Sequence, residues 1–154
     1  MSGRFSPCFL GALVPLVLLP LAARAADEPP ASTARCESAA RTFLPERLAV
    51  WQQRLNLQKW TISVAQSHPS DLKPNTLGNI HWDADKRTAA IRVLDAADYT
   101  RSCPDALADM EFTIVQELIH LELSSLPRSE ASRSEEEHAV NHITEALLKL
   151  DRDK

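Results

Sequence analysis

Apolar residues recur along this chain with two periods, and the switch between them lays out its elements. Within residues 37–57, Leu44, Leu48, Trp51 and Leu55 fall on one stripe at helical spacing, with Glu46, Arg47, Gln52, Gln53 and Arg54 elsewhere. Pro45 interrupts this pattern, and proline is tolerated only in the first turn of a helix. The pattern therefore predicts a short turn carrying Cys36, then a main helix starting near Pro45. Residues 60–66 alternate apolar and polar with β-branched side chains, as a half-buried strand does. Two prolines mark residues 68–75 as a loop. Residues 77–82 read as a second, weaker strand, and 83–87 as a tight connection into a third strand over 88–94, carrying Ile91 and Val93.

The helical period then returns. Cys103-Pro104-Asp105 predicts a helix start, with proline in the first turn and an acid at the positive end of the dipole. Ile114, Leu118 and Leu121 form one stripe of this helix, with Val115, Ile119 and Leu123 beside it, and Leu126-Pro127 ends it. A polar loop over 128–133 leads to a last helix from Ser134 to about Asp151, with Val140, Ile143, Leu147 and Leu150 as its buried stripe. The predicted fold class is α+β: an N-terminal helix, a small antiparallel sheet of three to four strands, then two packed helices.

The ends of the chain change the picture. Within residues 1–25, Arg4 precedes an apolar run over 9–21, and Ala23-Arg24-Ala25 has the form of a signal-peptidase site. The run is too short to span a bilayer comfortably, so the expectation is an exported protein, periplasmic or secreted, with no stable membrane insertion after cleavage. Residues 26–35 read as a flexible lead-in, and 36–154 as a single domain. Cleavage after Ala25 leaves 129 residues with 15 basic and 21 acidic side chains, a net charge of −6. No basic patch with interleaved aromatics is present, which argues against nucleic acid as a partner. Cys36 and Cys103 remain, and an isolated pair in an exported chain is most simply one disulfide.

Candidate chemistry lies on the central helix. Gln116 and His120 are one turn apart on one face and Glu117 projects beside them. In the zinc-hydrolase motif H-E-x-x-H two imidazoles with this layout bind the metal, and the glutamate takes a proton from the metal-bound water. Gln116-Glu117-Leu118-Ile119-His120, followed after a short loop by Glu137-His138-Ala139-Val140-Asn141, resembles a minimal metallopeptidase domain of the gluzincin type, the thermolysin-like zincins. The similarity covers roughly residues 60–150. It implies His120 as the second zinc ligand, Glu137 as the third, Glu117 as general base and Asn141, four residues after Glu137, as the group supporting the metal site. Glu136 would then point away from His120. Gln116 stands where the family's first histidine belongs, and its neutral amide suits zinc poorly.

Each candidate also has a plainer reading. Ser134-x-x-Glu137 is a capping box, in which Glu137 bonds its own helix terminus. His120 is equally a core histidine bonded to a backbone carbonyl, and His138 and His142 are solvated. His81 alternates away from Ile80 and Trp82 on the second strand and is a candidate cleft residue. Gln116 keeps the hydrogen bonding of the site, and its amide could join Glu137 or Asn141 and hold two helices together without metal. The expected function is an exported zinc-metallopeptidase-like hydrolase, weakened or inactive through Gln116. The alternative is a non-catalytic module that binds peptides or proteins on the same scaffold.

Overall fold

A buried stripe of Cys36, Ala40, Leu44, Leu48 and Trp51 runs the length of the first helix, α1 (Ala31–Arg54). The computed structural model describes residues 31–127 and 132–153. The expected signal peptide, the first part of the lead-in and most of the polar loop before the last helix lie outside the described residues. The stripe explains why α1 departs from the predicted break. Pro45 lies inside the helix but on its exposed side, so the hydrogen bond it forgoes faces solvent while apolar contacts continue beneath it. Residues 31–35, expected in the lead-in, form the first turns of the same helix.

Three strands follow: β1 (Thr61–Ser67), β2 (Gly78–Asp83) and β3 (Thr88–Leu94). Their order is β1-β3-β2, and the sheet is mixed rather than antiparallel. β2 and β3 form the expected antiparallel hairpin, with Gly78 opposite Val93 and Asp83 opposite Thr88. β1 instead runs parallel to β3, Thr61 opposite Thr88 and Ser67 opposite Leu94. The cause is the connection after β1. It includes a 3₁₀ turn at Pro69–Asp71 and is no tight hairpin, so the chain passes to the far side before β2 begins and β3 fills the gap. Asn75 and Arg87, both with positive φ, shape the connections before and after β2.

Helix α2 (Cys103–Glu122) opens as its sequence predicts, Ser102 capping the Asp105 N–H and proline in the first turn. Met110, Ile114, Val115, Leu118 and Leu121 are fully enclosed between α1, the sheet and the last helix, α3 (Arg133–Arg152). Cys36 and Cys103 form a disulfide with a Cα–Cα distance of 5.5 Å, joining α1 to the start of α2. On the far side of α2 a polar network ties the three helices together. Arg47 Nε and Trp51 Nε1 both donate to Glu111, at 2.6 and 2.7 Å, and Arg47 and Arg54 each reach Asp151 at 2.7 Å. Those two guanidinium groups, Arg54 first, hold the Asp151 carboxyl well below the ordinary carboxylate range.

α3 packs differently from its predicted stripe. Val140, Thr144 and Leu148 are buried, Leu147 is partly buried, and Ile143 and Leu150 are exposed. Polar contacts to α2 from Glu136, Glu137 and Asn141 set this rotation, so the buried line runs one position beyond the apolar one. No helix among the described residues is long and apolar enough to cross a membrane.

Candidate functional site

Where α2 passes beneath β2, it leaves a cleft of about 500 Å³. One wall is α2, with Phe112, Thr113, Gln116, Glu117 and His120. A second is β2 with the segment before it, including Lys73, Leu77, Gly78, Ile80 and Trp82, and a third is the start of α3 with Arg133, Glu136 and Glu137.

β2 reaches this position because residue 78 has no side chain. A Cβ there would strike Thr113 Cγ2 and lie 2.5 Å from the Arg92 carbonyl oxygen. The Leu94 N–H donates to the Leu77 carbonyl at 2.8 Å, which sets the phase of the hairpin. Residues 79, 81 and 83 therefore bond towards β3, while Gly78, Ile80 and Trp82 direct their backbone groups to the other edge. Leu77 and Trp82 are exposed large apolar residues beside this edge.

The α2–α3 side is polar. Gln116 Nε2 donates to Asn141 Oδ1 at 2.8 Å. His120 lies between two carboxylates, with Nδ1 3.3 Å from Glu136 Oε1 and Nε2 3.5 Å from Glu137 Oε2. Successive helix positions diverge by about 100°. The imidazole sits between residues 136 and 137, so both reach it. Glu136 thus faces His120 rather than pointing away from it. The capping box does not form, because α3 starts at Arg133 after Ser132 and places Ser134 inside the helix.

Glu117 is the most buried acid of the group, at 9% exposure. Burial pushes its carboxyl up to about 7; nearby His120 opposes the shift, Glu137 adds to it and Lys73 opposes it. Such a group takes up and releases protons near neutrality, as a general acid or base must.

The structure brings Gln116, Glu117, His120, Glu137 and Asn141 together at one end of the cleft. His81 is exposed and is not among the residues lining the cleft. Sequence patterning named Glu136 but turned it away from His120, and it missed Lys73, Arg133 and Trp82. The adjacent acids at 136 and 137 carried the signal for Glu136; the others reach the cleft through tertiary packing. Among the described residues no group of three or more His, Cys, Asp or Glu side chains is placed to hold a metal ion. Compared with protein-family models, curated proteins and solved structures, the chain matches none.

Proposed function

We propose that this is an exported peptide-binding protein on a zincin-like scaffold, in which metal-assisted peptide hydrolysis is weakened or lost. The observation that carries the reading is the Gln116–Asn141 hydrogen bond. In the resemblance, position 116 belongs to the first imidazole ligand and position 141 supports the metal site. Here a neutral amide engages that partner, bonding helix to helix without a cation. Loss of the imidazole leaves His120 and Glu137, fewer than the three protein ligands typical of catalytic zinc. The donor set therefore fits a complete catalytic centre poorly. The rest of the cleft suits an extended peptide: an outward-facing strand edge for main-chain hydrogen bonds and Leu77 and Trp82 for side chains. The disulfide agrees with an oxidising, extracytoplasmic compartment.

One observation favours a second reading, a weak zinc site with residual hydrolysis. The 3.5 Å between His120 Nε2 and Glu137 Oε2 is close to the edge of a tetrahedron with metal–ligand bonds of about 2.0–2.1 Å. Glu136 at Nδ1 is also where a carboxylate orients a metal-binding imidazole. Calorimetric zinc titration of the mature protein, of Gln116→His and of Gln116→His/Glu137→Ala separates the two. The expected result is weak binding by wild type, a gain of at least ~10–100-fold in Gln116→His, by extension from the cost of disturbing groups behind a metal ligand, and loss of that gain in the double variant. Equal affinity in wild type and Gln116→His would overturn the assignment of position 116. A pool of unstructured nonapeptides, followed by the Trp82 indole NMR signal, tests peptide binding, and an unmoved signal would remove it.

A further inference from the structure

Glu117 is a buried acceptor with no donor of its own. Only 9% exposed, it lines the cleft, and among the described residues it makes no hydrogen bond and no ion pair. The donors beside it on α2 are committed elsewhere. Gln116 gives its amide N–H to Asn141, and the two ring nitrogens of His120 face Glu136 and Glu137. Lys73 and Arg133 also line the cleft, but both are exposed and neither is in ion-pair contact with Glu117. Three carboxylates thus gather at one imidazole, which cannot donate to all of them. A buried acceptor without a donor is costly, and more so when it is charged. The Glu117 oxygens nevertheless stay open to the cleft, unlike the sealed and unpartnered Asn79 Oδ1 and Tyr99 hydroxyl.

We propose that this end of the cleft takes the cationic nitrogen of a basic side chain, lysine or arginine, carried by an extended peptide, with Glu117 as its most deeply buried acceptor and Glu137 beside it. The proposal rests on the cleft binding peptides and adds which peptides it selects. Charge is the first argument. A hydroxyl or a main-chain N–H would give Glu117 a hydrogen bond but leave the excess of carboxylates uncompensated, whereas an ammonium or guanidinium group supplies several donors together with the opposite charge. Direction is the second. A Cβ on Gly78 would strike Thr113, so Gly78, Ile80 and Trp82 face α2. A peptide strand paired along this edge turns every second side chain to the same side, where Glu117 lies. Ile80 and Phe112 are partly buried and line the cleft, which gives the methylenes of a long basic side chain an apolar partner while its charged end passes on to the carboxylates.

The test uses N-acetylated nonapeptides identical except at the central residue, which is lysine, arginine, norleucine or glutamate. Each is titrated into the mature protein at pH 8 in chelator-treated buffer and followed by the Trp82 indole NMR signal. The lysine and arginine peptides should bind about 10–100-fold more tightly than the norleucine peptide, and the glutamate peptide should bind most weakly. In Glu117→Gln, whose fold is checked by circular dichroism, the advantage of lysine over norleucine should shrink to about threefold or less. A norleucine peptide with a free N-terminus tests the other source of an ammonium group. If it matches the acetylated lysine peptide, the site belongs to a chain terminus and the side-chain assignment is overturned. Equal binding of the lysine, norleucine and glutamate peptides overturns the proposal and leaves peptide binding standing. An advantage of lysine that survives in Glu117→Gln overturns the role of Glu117. An indole signal unmoved by every peptide removes the peptide reading itself, and the proposal with it.

Discussion

Glu117 is held where a carboxylate is costly. Its pKa in the fold, about 7, lies above the ordinary value of 4.5, so between these values the native state holds a proton that the unfolded chain releases. Stability contributed at this residue therefore falls as pH rises from 4.5 to 7 and levels off above, a change of roughly 3 kcal/mol. Glu117→Gln removes the charge and keeps the volume. In chelator-treated buffer, urea unfolding should find the variant more stable than wild type by roughly 1–3 kcal/mol at pH 8, with the gap closing near pH 4.5. Parallel stability curves for the two proteins across this range would show that the carboxylate is solvated after all. The placement of Glu117, His120 and Gln116 on one apolar helix was legible in the sequence, because helical periodicity fixes which residues share a face. That Glu136 would join Glu137 at His120 was not, since it depends on the rotation of α3.

At the scale of elements, strand edges were legible to within a residue, since alternation of apolar and polar side chains marks where a pleated surface begins and ends. Strand order was not. β2 and β3 pair as their short connection requires, but the parallel pairing of β1 depends on the path of a longer segment that carries no period. Pro45 misled for a related reason. Propensity places it at a helix start, yet packing on both sides of it, from Cys36 to Trp51, keeps α1 continuous. The contact of β2 with α2 is the element-level feature that shapes the cleft, and it rests on Gly78. Gly78→Ala should cost about 1–3 kcal/mol in thermal or urea unfolding, because the added carbon meets both Thr113 and a backbone carbonyl. Thr113→Ala in the same chain should not restore the loss, since the Arg92 carbonyl stays in place. Full recovery would mean that the side chain alone sets the approach.

For the molecule as a whole, the disulfide was legible from the cysteine count and the N-terminal pattern, and Cys36 and Cys103 are joined as expected. Reduction should lower stability by roughly 2–4 kcal/mol, read as a shift of the urea midpoint with and without reductant; an unchanged midpoint would show that packing alone fixes α1 to α2. The bond also divides the molecule by covalent topology. Cys36 and Cys103 close a ring that contains the rest of α1 and all three strands, with most of α2 and the whole of α3 as a tail leaving it. A protease that cuts once anywhere within the ring leaves a single covalent molecule, which on an unreduced gel migrates close to the intact chain. One cut in the segment between α2 and α3 instead detaches a fragment carrying Glu136, Glu137 and Asn141. Under protease attack the strand wall of the cleft would thus outlast the helix that supplies Glu136 and Glu137.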